Sequence, residues 1–230
     1  MWQAAALYER RISPKKNKEL GMIEKQAVYK LTYGLYVLTT KEENKQNACI
    51  VNTVNLLTDN PKRITVFVNK ANYSEELLRK NSVFNVSVLT ESSPFSIFEK
   101  FGFSSGRDVD KFAGANYPTA ENGLYYINEH TNAYLSAKVI DCYDYGTHTL
   151  FVAEVTEAKQ LSEEQSVTYQ YYQDNIKPKP QAAQSEPSKD STTHKWVCKI
   201  CGYVHEGEEL PDDFICPWCK HPAEDFEQIS

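Results

Sequence analysis

The chain has 230 residues, 41% hydrophobic and 24% charged, with a formal net charge of -6, the profile of a globular protein of one large or two smaller domains. Its nine glycines never come closer than Gly102 and Gly106, which excludes a G-x-G-x-x-G fingerprint, and none is followed by lysine as a P-loop requires, so any nucleotide must be held without a glycine-rich loop. No stretch reaches the roughly 20 uninterrupted apolar residues of a membrane helix, and the opening residues carry Arg10, Arg11, Lys15, Lys16 and Lys18 with no apolar core behind them, which predicts a cytoplasmic protein and no membrane partner.

In chain order, Met1–Gly21 fits no element and reads as an N-terminal extension, because Met22 opens the first patterned run. Helical spacing predicts helices over Ile23–Leu31, over Ser74–Lys80 with Ser74 as N-cap, over Pro94–Phe101 and over Ser162–Asn175. Strict alternation predicts half-buried strands at Ile64–Val68 and Phe84–Val88, and Ala133–Asp141 with Thr149–Val155 reads as a hairpin turning near Tyr145-Gly146-Thr147-His148. The expected class is therefore mainly β with helical insertions, a barrel or a sandwich. Cys49 and Cys142 stand alone and are expected to be buried as small hydrophobes. No Ser-His-Asp or Cys-His arrangement is persuasive, so no catalytic residue is assigned.

Lys177–Thr193, KPKPQAAQSEPSKDSTT, holds three prolines and almost nothing apolar. It reads as a linker with a root-mean-square span of roughly 20–25 Å, giving domains at 22–176 and 194–230. The tail carries three lysines against eight acids, a net charge of -5, which repels nucleic acid and suits a basic protein partner.

Four of the six cysteines lie in that tail. A unit of 37 residues buries too little apolar surface to fold alone, and Cys198-x2-Cys201, fourteen residues, Cys216-x2-Cys219 supplies a tetrahedral four-thiolate metal site. Spacing alone leaves zinc and iron open.

The residues around these cysteines resemble rubredoxin. Trp196-Val-Cys198-x2-Cys201-Gly202-Tyr203, Glu208-Glu209-Leu210-Pro211-Asp212-Asp213-Phe214-x-Cys216-Pro217-x-Cys219 and Glu224-Asp225-Phe226 are most similar to the short form found at the end of rubrerythrins. Ordinary rubredoxins are longer between the cysteine pairs and commonly carry glycine where this chain has Lys220; the short form tolerates both departures. The resemblance implies one iron ion held by Cys198, Cys201, Cys216 and Cys219, cycling between ferric and ferrous. Trp196, Tyr203, Phe214, Trp218 and Phe226 are expected to form a small aromatic core.

Residues 22–160 resemble the flavin reductase family with the FMN-binding split-barrel fold, the group that includes flavoredoxin. Gln46-Asn47-Ala48-Cys49-Ile50-Val51-Asn52-Thr53 stands where that family has its polar flavin-contacting strand. Pro61 to Phe67, Asn69-Lys70-x2-Tyr73-Ser74, Phe84 to Leu89 and Phe101 to Phe112 follow in order, and Tyr145-Gly146-Thr147-His148-Thr149-Leu150-Phe151-Val152 is similar to the family's G-D-H-x-x-F-V turn, with threonine in place of the aspartate. The resemblance implies a bound FMN touched by Asn47, Asn52 and Thr53 at the ring or phosphate. It puts Asn69, Lys70, Tyr73 and Ser74 near the phosphate or ribityl chain, Ser105 and Arg107 on the outer side of the pocket, and His148 toward the flavin. Taken singly, each of these could equally be a solvated loop residue.

Together the two resemblances imply a homodimeric flavin reductase-like domain followed by rubredoxin, in which NAD(P)H reduces FMN and the flavin passes single electrons to the iron. A redox partner, by family analogy a flavodiiron protein reducing oxygen or nitric oxide, would receive them. Two other readings remain open: a reductase releasing reduced FMN with a zinc-bound docking tail, and a non-enzymatic electron carrier charged by a separate reductase.

Overall fold

The computed structural model describes residues 25–28, 30–43, 45–178, 194–198, 203–216 and 222–229. The expected N-terminal extension, most of the expected linker, and Cys201, Cys219 and Trp218 lie outside the described residues. Contacts divide the chain after Thr32. Before that division the described backbone holds one turn, α1 (Lys25–Val28), where a longer helix was expected; Val28 and Leu31, apolar positions of that pattern, are exposed. Ile23, Glu24 and Tyr29 of that expected helix lie outside the described residues, and exposed Val28 and Leu31 bury nothing that would offset the cost of helix nucleation.

From Tyr33 onward, β1 (Tyr36–Glu42), β2 (Lys45–Val51), β3 (Val54–Asp59), β4 (Lys62–Asn69), β5 (Val83–Leu89), β6 (Thr131–Asp144) and β7 (His148–Gln160) form one seven-stranded sheet. Its order is β2-β1-β5-β6-β7-β4-β3, with antiparallel pairing. The alternating runs Ile64–Val68 and Phe84–Val88 lie inside β4 and β5. The expected hairpin is β6–β7, its turn closed at Gly146 (φ +83°), whose N–H donates to Asp144 Oδ1 at 2.8 Å; only glycine adopts such a φ without a Cβ clash.

One cluster explains why this sheet curls. Leu38 of β1 and Cys49 and Val51 of β2 share a core with Ile64, Val66 and Val68 of β4, from the other end of the strand order, and with Phe84, Phe151 and Ala153 between them. Strands at opposite ends can bury side chains together only if the sheet wraps round, as in a barrel. β1 and β2 are buried on both faces. Val37 and Ala48, the neighbours of Leu38 and Cys49, enter a second cluster outside the barrel with Phe98, Phe101, Phe112 and Tyr172, as period-two alternation requires.

Helix α2 (Tyr73–Asn81) plugs the interior with Leu78, and α3 (Phe95–Gly102) covers the outer cluster with Phe98 and Phe101. The helix expected over Ser162–Asn175 is shorter. Ser166 and Thr168 bridge to Thr90 and Gly34, and Val167 N–H donates to Leu89 O at 2.9 Å, so pairing with β5 holds this stretch extended. Helix begins at Tyr169, its N–H groups capped by Thr168, and passes into a π-turn at Tyr172–Ile176. Cys49 is buried as expected, but Cys142 is exposed, because the end of β6 projects beyond the core.

In the tail, β8 (His194–Cys198), β9 (Val204–Gly207) and β10 (Phe226–Gln228) form a separate sheet in the order β10-β8-β9. Phe226 stands opposite Cys198 in register, and Cys198, Cys216 and Phe226 are buried in one cluster with Trp196, Tyr203, Leu210 and Phe214 beside them.

Candidate functional site

The residues expected to hold a flavin gather in two groups on either side of the start of α2. In the first, Asn47 of β2 is 3% exposed and its amide Nδ2 donates to Ser74 Oγ at 2.8 Å. Asn47 Oδ1 has no hydrogen-bond partner among the described residues, an arrangement that costs free energy unless a further group completes it. Ser74 is not the helix cap that the sequence suggests. Asn72 is: its Oδ1 accepts from Ser74 N–H at 3.0 Å, which leaves the Ser74 hydroxyl to serve β2.

Gly106 closes this group from above. A Cβ at that position would fall 1.8 Å from Asn47 Oδ1, so only glycine allows the loop to lie against the amide. Lys45 Nζ donates to Gly106 O at 3.1 Å, and Ser105 Oγ accepts from Arg107 N–H at 3.2 Å. The Arg107 guanidinium lies 4.2 Å over the Tyr73 ring and pairs with Glu76. Tyr73 O–H donates to the Glu42 carboxylate, which is the main reason that its phenol is pushed up to about 12; Tyr73 is therefore a donor at neutral pH.

In the second group, Asn69 ends β4 opposite His148 in register, so both side chains lie on one face. Asn69 Oδ1 accepts from Ala71 N–H at 2.9 Å, and Asn69 O accepts from Asn72 N–H at 2.9 Å, which joins the two groups. Lys70 N–H donates to Thr147 O at 3.0 Å, and the Lys70 ammonium pairs with Asp144, holding that carboxyl below its usual range. The imidazole Nδ1 of His148 lies 2.9 Å from Thr147 Oγ1. Thr53 Oγ1 donates to Phe67 O at 3.0 Å, beside the end of β4, and Asn52 precedes it half-buried.

Several residues that frame the site were not singled out from the sequence. Glu75, 6% exposed, accepts from Arg79 Nε at 2.6 Å and from Thr149 Oγ1, tying α2 to β7. The signal was available, since Asn72 and Glu75 have the spacing of a capping box. Lys111 is 6% exposed, and its Nζ donates to Ala48 O and Phe101 O, each at 2.9 Å. It clamps β2, next to Asn47, to the carboxyl end of α3, and burial pulls its pKa down. Nothing in the run Asp108-Val109-Asp110-Lys111 marks that role. The Cys49 thiol is pushed up by burial, partly offset by Ser74, which makes it a packing residue.

The residue types suit an anionic, hydrogen-bonding planar cofactor: hydroxyls at Thr53, Ser74 and Ser105, and cations at Lys45, Lys70 and Arg107 that here hold Gly106 O, Asp144 and Glu76 and would have to exchange those partners for a phosphate. In the tail, Cys198 and Cys216 are buried in one cluster, and Cys198 N–H donates to Tyr203 O at 2.8 Å. Two buried thiols among aromatics, with two further cysteines at x2 spacing, fit a thiophilic metal.

Residues 28–179 match the family model described as flavin reductase like domain. The chain belongs to the flavin reductase-like family. Behind that domain, residues 196–227 match the rubrerythrin, rubredoxin-like domain, so this flavin reductase-like chain ends in a rubredoxin-like module. It is 38% identical over 229 residues to the high molecular weight rubredoxin of Moorella thermoacetica, covering 90% of this chain and 100% of that one. It is 37% identical over 147 residues to a ferric-chelate reductase (NAD(P)H) of Archaeoglobus fulgidus, covering 64% and 87%. Among solved structures, an NADH:FAD oxidoreductase of Streptomyces globisporus aligns with TM-score 0.57 and 22% identity over 62% of this chain and 85% of that chain, which bears out the mainly β split-barrel fold.

Proposed function

We propose that this protein carries electrons from NAD(P)H through FMN in the barrel to one iron ion held by Cys198, Cys201, Cys216 and Cys219, and on to a separate redox protein. The observation that carries the reading is the presence in one chain of a flavin reductase-like barrel and a buried-thiol module. The names of its relatives, a high molecular weight rubredoxin and an NAD(P)H ferric-chelate reductase, support the same chemistry. A bound flavin accepts two electrons as hydride and gives them up one at a time. The chain's own residues bind and orient. With Ser74 fixing its amide, Asn47 would accept from the ring edge once the Gly106 loop that covers it moves aside; Asn52, Thr53, Asn69, Lys70, Tyr73 and Ser74 would hold the polar tail; Ser105 and Arg107 would bound the outer side, and His148 would face in from β7.

The partner in this reading is a flavodiiron protein reducing oxygen or nitric oxide, met by the -5 tail through a basic patch. The site lies in a cytoplasmic homodimer. In support, no helix among the described residues is long and apolar enough to cross a membrane, and β3, at one edge of the sheet, exposes Leu56 and Leu57 while Ile140, Tyr143 and Tyr145 stand exposed at the β6–β7 end. Apolar residues on an open edge invite a second copy, and light scattering that gives a monomer would reject it.

The deciding experiment is the anaerobic visible spectrum with metal analysis, before and after NADH and then NADPH. Iron and bound-flavin bands that both bleach with one nucleotide are expected. A colourless zinc-loaded tail would overturn the iron assignment, and flavin and iron that ignore both nucleotides would overturn direct reduction.

A further inference from the structure

Phe103 does not belong to the barrel's clusters. It packs against the tail's buried cluster of Cys198, Cys216 and Phe226, among Trp196, Tyr203, Leu210 and Phe214. We infer that the loop Phe103–Arg107 is the intramolecular dock for this chain's own rubredoxin-like module, with Phe103 as its anchor.

Three observations make this loop a platform and not a chance contact. Phe103 is fixed on the barrel side: its N–H closes α3 on Glu99 O at 3.1 Å, and its ring meets Phe95 edge-on at 5.6 Å. The end of α3 is itself clamped, since Lys111 binds Phe101 O and Ala48 O together. The far end of the same loop lies on the flavin-site residues, with Gly106 against Asn47 and Arg107 over Tyr73. Four peptide steps separate Phe103 from Arg107, a reach of at most about 14 Å. One short, braced loop therefore has the thiolate cluster at one end and the proposed flavin pocket at the other. Aromatic anchors seated among apolar side chains carry most of the affinity of small interfaces, and a linker supplies the second partner at high effective concentration.

The inference rests on the electron-transfer reading for its purpose, but the dock can be tested without it. In the full chain loaded with its metal and flavin, the photoreactive substitution Phe103→p-benzoylphenylalanine should cross-link to peptides 194–198 or 203–216 on irradiation; cross-links confined to the barrel would overturn the dock. Hydrogen exchange provides the second measurement. Phe103→Asp should speed exchange in 194–198 about tenfold while Phe103→Leu stays near the parent, with β4 protected in both; equal tail exchange in all three proteins would overturn the dock. If Phe103→Asp disturbs β4, the cross-link decides. Iron bleaching by NAD(P)H should slow about tenfold in Phe103→Asp relative to Phe103→Leu, and equal rates would overturn the dock as the electron path. Iron that neither nucleotide reduces in the parent chain would instead reject the donor assignment above, with cross-link and exchange still judging the dock.

Discussion

The barrel domain, inside the barrel and under its outer helices, buries Phe84, Phe101 and Phe151 completely, together with Leu38, Leu77, Leu78, Leu89 and Leu124, whereas the buried cluster of the tail is Cys198, Cys216 and Phe226 with half-buried neighbours. The barrel closes because apolar residues from both ends of its strand order need the same interior. Among its described residues the tail buries only Val197, Cys198, Cys216 and Phe226, two of them metal-ligand types. Stability in the first is distributed over many side chains; in the second, on the electron-transfer reading, it would rest on a few metal-bound thiolates. The electron-transfer reading needs both, a rigid frame for a large planar cofactor and a small module that its metal holds together.

The largest test of that contrast is metal removal. Chelation, or Cys198→Ser, should abolish amide protection throughout 194–228 while leaving β4 to β7 protected, because in small metal modules the binding free energy is the folding free energy; exchange monitored by mass spectrometry checks this, and a tail that stays protected without metal would erase the distinction. Next in size, Phe151→Ala in the barrel interior should cost about 3–5 kcal/mol in denaturant unfolding and leave the thiolate spectrum untouched.

A smaller effect is expected at Lys111. Lys111→Met keeps the stem but strands the carbonyls of Ala48 and Phe101, costing about 1–3 kcal/mol. Burial lowers the pKa of Lys111 from 10.5, so the unfolded chain binds more protons between the lowered and the ordinary value, and stability rises with pH across that interval. The methionine variant should lose this slope, which urea titrations at several pH values would read. Smallest of all, Arg107→Ala should change stability by less than about 0.5 kcal/mol, since its pair with Glu76 is solvent-exposed. It should nevertheless weaken FMN retention on gel filtration; unchanged retention would remove Arg107 from the site.

The two regions also differ in how far they could be read in advance. The tail is legible as a rubredoxin-like module because its cysteine spacing and flanking residues are specific, and residues 196–227 match that domain; of its four cysteines, Cys198 and Cys216 share one buried cluster. Alternation located β4 and β5, and the 145–148 turn located the β6–β7 hairpin. Where a residue's state depended on a distant partner, the local pattern misled. Residues 162–168 are extended because Thr90 and Leu89 pair with them; Ser74 yields the cap to Asn72 because Asn47 takes its hydroxyl; Cys142 is exposed because β6 outruns the core.

By itself, then, the sequence determined the mainly β class, the acidic rubredoxin-like tail with its paired cysteines and the polar positions that cluster at the start of α2, since periodicity, charge and residue spacing are local properties. Tertiary structure alone decided that Asn47 Oδ1 is buried with no hydrogen-bond partner among the described residues, that Gly106 lies against it, that Lys111 clamps β2 to α3 and that Phe103 meets the tail. Each of these depends on contacts between segments far apart in the chain, and those exist only once the sheet has closed.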